Sequence, residues 1–225
     1  MRASLADQTG SGATPTLAIA LGANLPGPCG SPMATLIAVR PLLEASVRRW
    51  GERLPTPGEP AGFRWSPLFE THPVGGPPGQ PNYVNAVVLV EGASVDFEAT
   101  AVTTAVTTAE AAAEDLLEHL QDLEQQFGRE RQERWGPRSL DLDLLWWGDL
   151  RCDTPRLQLP HPLWQERDFV LAPLAALGAA LERTAPGPDC TAVALAGRSG
   201  WPEQLEEGLL TRTAEPPAGP DPHPR

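Results

Sequence analysis

Asp141 and Asp143 stand two residues apart inside the apolar run Leu140 to Trp147. An extended strand sends alternate side chains to opposite faces, so both carboxylates point one way and Leu140, Leu142 and Leu144 the other. Aspartate is depleted in strands, and two in so apolar a run call for a reason. Hard divalent cations take oxygen ligands, and magnesium commonly uses one or two carboxylates together with substrate phosphates. In two-metal phosphoryl transfer the ions lie about 3.5–4 Å apart and clamp the attacking and leaving oxygens. Taken alone, the pair could also be solvated on the wet face of an antiparallel sheet. Its neighbours weigh against that. Arg129, Arg131, Arg134, Arg138, Arg151, Arg156 and Arg167 crowd the same stretch, in a chain whose net charge is −12. Guanidinium grips phosphate bidentately and keeps its charge. Paired aspartates beside clustered arginines point to a metal-bridged polyphosphate.

Three further groups could join that chemistry. His161 lies between Pro160 and Pro162, which restrict the backbone and aim the imidazole, although a turn histidine without a partner has the same surroundings. Tyr83, the only tyrosine, and Asn85 share one face of a Val-rich strand. A ring plus an amide can stack on a flat heterocycle and bond its edge, and equally can be core residues at a strand start. Trp135 either stacks on a base or packs over its loop. Phe169 suits an apolar helix as well as a site.

Composition removes several classes. All 17 basic residues are arginine, which excludes a Walker A loop and a Schiff-base lysine. Strong acidity argues against sequence-independent nucleic-acid binding. Cys29, Cys152 and Cys190 are odd in number and lack CxxC spacing, so neither a disulfide framework nor a zinc site is expected. No apolar run reaches the roughly 18 residues of a membrane span, and residues 1–14 lack the apolar core of a signal peptide. A cytoplasmic enzyme follows as the expectation.

The elements that must position these residues alternate along the chain. Residues 1–15 read as a disordered extension. A buried strand is expected over Thr16–Leu21, then a helix over Met33–Trp50, kinked or started late by Pro41. A strand over Phe63–Thr71 and one over Tyr83–Val90 flank a Pro/Gly-rich loop too long for an ordinary hairpin. Residues 93–113 form a low-complexity Ala/Thr stretch, read as an insertion. Leu116, Leu120, Leu123 and Phe127 mark a helix from Asp115, with Gly128 as its C-cap. An Arg-rich loop over 129–138 leads into the strand 139–147. A last helix spans Trp164–Leu177. The order β-α-β-β-α-β, with an appended C-terminal helix, predicts an α+β, ferredoxin-like fold, an antiparallel sheet covered by helices. One domain over 16–184 is expected, with a Pro/Gly-rich tail over 185–225.

The run Arg134-Trp-Gly-Pro-Arg138-Ser-Leu-Asp141-Leu-Asp143-Leu-Leu145 resembles the signature of the 6-hydroxymethyl-7,8-dihydropterin pyrophosphokinases. Leu21–Leu25, Thr71–Gly75, Gln80–Ala86, Leu123-Glu124, Gly128-Arg129, Pro160–Pro162 and Glu166–Leu171 match in the same order, so the resemblance runs from about 16 to 178. It implies a ferredoxin-like enzyme of folate synthesis that moves pyrophosphate from ATP to the pterin hydroxymethyl group, leaving AMP. It implies two Mg2+ ions held by Asp141 and Asp143. It places the pterin between Tyr83 and Phe169, with Thr71, Val74 and Asn85 at its edge. It assigns Gln121, Glu124, Arg129, Arg131, Trp135, Arg138, Arg156, His161 and Arg167 to ATP, and catalysis to Arg129, Arg138 and the aspartates. No general base stands out; Asp143 is the nearest acceptor. The partners implied are small molecules only, with no nucleic acid or membrane, and the protein is expected to be a monomer. Leu163 departs from the pattern, where many relatives carry a basic residue. A nucleotidyltransferase also pairs aspartates on a strand, but it expects a Gly-Ser helix start before them, and Trp-Gly-Pro-Arg stands here instead.

Overall fold

Strand β1, Pro15–Ala23, is the spine of the molecule in a computed structural model that describes residues 15–54, 62–93, 102–130, 135–177 and 202–205. The expected N-terminal extension falls outside the described residues, apart from Pro15 in β1. So do Arg131, Arg134, Cys190 and most of the expected tail. Helix α1 runs over Pro32–Gly51. Ser31 caps it by accepting the Ala34 N–H at 3.2 Å, and Pro32 occupies the first turn, where no amide partner is lost. The helix continues through Pro41.

The expected second strand is divided into β2, Gly62–Trp65, and β3, Phe69–Thr71. Ser66 causes the break. Its N–H donates to Val87 O, and its hydroxyl accepts the Val87 N–H, each at 2.9 Å, so the side chain replaces a backbone rung. Strand β4 covers Tyr83–Glu91, and helix α2 covers Val102–Gln126. Much of the Ala/Thr stretch is therefore helix, which begins well before Asp115: alanine has the highest helix propensity, and the threonines within it do not end the turn. Strand β5 spans Asp141–Trp147, and β6, Cys152–Asp153, pairs with β7, Gln158–Leu159. The expected last helix is a 3-10 turn at Trp164–Glu166 followed by α3, Asp168–Ala176, with an extended Arg167 between them. A short strand, β8, Glu203–Gln204, comes from the C-terminal stretch.

The sheet has the order β5-β1-β4-β3-β8, with β2 also on β4, and every pairing is antiparallel. Its two faces are unequal. Leu17, Ile19 and Leu21 of β1, with Val88, Val90, Leu142 and Leu144, pack beneath α1 and α2. Ala18 and Ala20, with Val87, Leu89, Leu145 and Trp146, pack against Val170, Leu171 and Leu174 of α3. A register shift between Ala18 and Ile19 admits the extra residue Leu145, which explains why the apolar run does not alternate cleanly. Helix α3 covers one end of its face. At the other end the register sets Gly22 between Asn85 of β4 and Asp141 of β5.

Candidate active site

The site grows from that uncovered end. Ala20 pairs with Asp143 and Gly22 with Asp141, so both carboxylates stand over the small residues of β1. A Cβ on Gly22 would meet Asn85 Oδ1 at 3.0 Å and Tyr83 Cδ1 at 3.8 Å, so glycine keeps the floor low where three strands converge. The side chains of Asp141 and Asp143 are 20% and 37% exposed, while Leu142 and Leu144 are buried beneath them.

Three guanidiniums meet the pair. Helix α2 ends in a Schellman-type turn: Arg129 N–H donates to Glu124 O and Gly128 N–H to Gln125 O, both at 3.0 Å, with Gly128 at φ +79°. The turn folds Arg129 back onto the buried carboxylate of Glu124, with which it makes a short ion pair, and lets it donate to Asp141 Oδ1 at 2.5 Å. Glu124 also accepts the Leu142 N–H at 2.8 Å, which ties the helix end to β5. Arg138 donates to Asp141 Oδ2 at 2.7 Å. Arg167, at the break between the 3-10 turn and α3, lies 3.5 Å from Asp143 Oδ2 and stacks 5.4 Å from the Phe169 ring centroid. Burial, and then the Asp141 charge, push the Asp143 carboxyl up to about 7, with Arg167 opposing them.

His161 follows the cis Leu159–Pro160 bond and donates its backbone N–H to Leu145 O at 2.7 Å. Its Nδ1 accepts the Leu163 N–H at 3.2 Å, so the neutral ring carries its proton on Nε2, free to donate. Burial, reinforced by Arg167, lowers its pKa to about 4.

Thr71, Tyr83 and Asn85 form a second cluster across β3 and β4. Thr71 is the register partner of Tyr83, and Asn85 Nδ2 donates to Thr71 Oγ1 at 2.8 Å. The Tyr83 hydroxyl donates to Gly136 O at 3.4 Å, reaching the arginine loop. Val74 is 76% exposed in the loop above. Trp135, at φ +59° and 51% exposed, lies over Gly75, and its carbonyl accepts from Gln80 Nε2 at 3.2 Å. The two expected loops thus touch each other. Gln121 sits half-buried one turn before Glu124. Arg156 is not with the aspartates; it pairs with Glu118 of α2 at 2.8 Å, in the open.

Sequence reasoning gave no role to Asn24, which is 1% exposed. Its Oδ1 accepts the Arg138 N–H at 2.8 Å, its Nδ2 donates to Pro81 O at 3.2 Å, and its own N–H donates to Arg138 O at 3.0 Å. It fixes Arg138 and the base of the loop after Thr71 at once. Its signals were an amide at the end of a buried strand, which a turn explains equally well, and its place in the matched segment Leu21–Leu25.

The donor set suits magnesium: two carboxylates, each with part of its surface open. Among the described residues no group of three or more His, Cys, Asp or Glu is arranged as a self-sufficient metal cage. Magnesium shared between protein and phosphates needs none.

A family model described as 7,8-dihydro-6-hydroxymethylpterin-pyrophosphokinase matches residues 18–179. Curated relatives named 2-amino-4-hydroxy-6-hydroxymethyldihydropteridine pyrophosphokinase are similar to the chain. The one from Pseudomonas aeruginosa is 38% identical over 159 residues, 71% of this chain and 78% of the relative. That from Haemophilus influenzae is 33% identical over 159 residues, 71% of this chain and 79% of the relative. That from Synechocystis sp. is 39% identical over 127 residues, and the chain spans only 56% of that relative's length. The matched span holds both aspartates, the three arginines that meet them and the Thr71–Tyr83–Asn85 cluster, and the chain belongs to the 7,8-dihydro-6-hydroxymethylpterin-pyrophosphokinase family.

Proposed function

We propose that the chain transfers pyrophosphate from ATP to 6-hydroxymethyl-7,8-dihydropterin, releasing AMP, at the Asp141/Asp143 end of the sheet. The observation that carries this reading is the meeting of Arg129, Arg138 and Arg167 on the aspartate pair, beside the Thr71–Tyr83–Asn85 cluster. Asp141 and Asp143 would hold two Mg2+ ions. Those ions would neutralise the phosphates and acidify the attacking hydroxyl. The arginines would leave the carboxylates for the phosphates, where negative charge accumulates during transfer. Neutral His161 would donate from Nε2 to the nucleotide. Gln121, Glu124, Arg131, Trp135 and Arg156 complete the proposed ATP side, with Glu124 acting through Arg129.

Tyr83 and Phe169 would sandwich the pterin while Asn85, Thr71 and Val74 meet its edge. The ring would then present its alcohol to the β-phosphorus, and fixing two reactants in line removes much of the entropic barrier. Asp143, the nearest acceptor to that alcohol, is the group we assign to accept the hydroxyl proton. The contact between Trp135 and Gly75 supports closure of the two loops over the substrates, which would keep water from hydrolysing ATP. We class the fold as ferredoxin-like with an appended helix, because the order β5-β1-β4-β3 repeats that arrangement. The catalytic unit is taken as residues 16–184, in a cytoplasmic monomer; free Cys29 and Cys152 suit a reducing compartment.

The test combines protein, ATP, magnesium and the reduced hydroxymethylpterin. AMP should form only when the pterin is present, and Asp141→Ala or Asp143→Ala should each abolish it. ADP as the product would refute pyrophosphoryl transfer, and full activity in either variant would refute the metal site.

A further inference from the structure

We propose that β8 is a positioning element of the pterin pocket, bracing the outer edge of β3 so that Thr71 keeps its place beside Asn85. The inference rests on the reading of Thr71, Tyr83 and Asn85 as the pterin-facing group. The bracing segment lies beyond the residues matched to the family, which end at 179.

Strand β3 is short and has much to hold. On its inner side Phe69, Glu70 and Thr71 pair with Asn85, Val84 and Tyr83. On its outer side Phe69 pairs with Gln204 and Glu70 with Glu203, and Leu205 N–H donates to Leu68 O at 2.8 Å. Without β8 that outer edge would present unpaired amides and carbonyls, and a three-residue edge strand frays readily. Adding a strand to a sheet edge gives main-chain bonds, and a side-chain pocket fixes the register. Leu205 supplies that second part by packing against the core beneath α1 and α2.

The brace reaches the pterin-side loop as well. Glu70 accepts from Asn82 Nδ2 at 2.7 Å, and Asn82 Oδ1 lies 2.9 Å from His72 Nδ1. The residue that β8 pairs with therefore closes the base of the loop carrying Val74 and Gln80. The pairing is also held weakly by design of its charges: Glu70 and Glu203 stand opposite each other, and like charges in that position cost stability. The main-chain bond and the Leu205 contact must outweigh this repulsion.

These features give variants of opposite sign in the full-length chain. Leu205→Pro removes the N–H that bonds Leu68. Glu203→Arg turns the repulsive pair into an attractive one. In hydrogen exchange without substrates, the amides of Phe69–Thr71 should exchange faster than wild type in Leu205→Pro and slower in Glu203→Arg. In steady state, Leu205→Pro should raise the pterin KM by roughly five- to tenfold, the loss of one or two hydrogen bonds, and leave the ATP KM unchanged. Unchanged Phe69–Thr71 exchange in both variants would overturn the proposal. So would a parallel rise in both KM values with a lowered Tm, because that marks general destabilisation. Altered exchange with no pterin binding in any of the three proteins would refute the pocket reading itself while leaving the strand pairing intact.

Discussion

Asp141, Asp143 and Glu124 meet Arg129, Arg138 and Arg167, so each carboxyl group already has a guanidinium partner. A divalent cation arriving alone is opposed by guanidiniums already on its ligands. Arriving with a triphosphate, it gives those guanidiniums another partner. Arg138→Gln is therefore predicted to tighten Mn2+ binding in the absence of nucleotide and to weaken binding of the metal–nucleotide complex. Each change should be roughly tenfold, the size of a charge-assisted hydrogen bond. Calorimetry measures both, and shifts of the same sign would contradict the exchange. Protons enter the same balance. Asp143 has a folded pKa raised to about 7, so the fold favours its protonated form. In metal-free protein this contribution to stability is present below the ordinary carboxylate pKa and is lost as pH rises through about 7. Because proton and metal compete for the same oxygens, Mn2+ affinity should climb between about pH 5.5 and 7.5, and Asp143→Asn should flatten the climb. An equal slope in the variant would assign the titration to another group. The aspartate pair was legible because period-two spacing alone sets both carboxylates on one face. Arg156 was not, since its partner Glu118 lies far away in sequence on α2.

The placement of Arg129 depends on how α2 ends. Gly128 sits at φ +79°, which a side chain enters at a cost of about 1–2 kcal/mol, and a Cβ there would lie 3.3 Å from Pro28 Cδ. Gly128→Ala is predicted to lower stability by about that amount. It should also reduce kcat, because Arg129 follows directly; urea unfolding and initial rates check the two effects. Normal stability with normal kcat would show that the turn does not position Arg129. Gly128 was legible as a helix terminator, since glycine after an apolar periodic run has that meaning. The division of β2 from β3 was not, because it comes from Ser66 replacing a rung across to Val87, a long-range bond with no local signature. The start of α2 was misplaced for a related reason. An Ala/Thr run gives no apolar stripe to count, and composition alone cannot mark where a helix begins.

Across the whole molecule, the sheet divides its labour between two faces. One is filled by α1 and α2 on branched residues of every central strand. The other carries Ala18, Ala20 and Gly22 on β1, covered by α3 at one end and left to the site at the other. The strand-and-helix order was legible from periodicity, and the aspartates could be placed on a face. Which end of that face lies open could not be read, because it depends on where α3 docks. Pyrophosphoryl transfer carries both terminal phosphoryl groups of ATP to the pterin together. ATP labelled at the β-phosphorus in one reaction and at the γ-phosphorus in another tests this most directly. Pyrophosphoryl transfer moves both labels equally into the pterin product. Transfer of the γ label alone would contradict it.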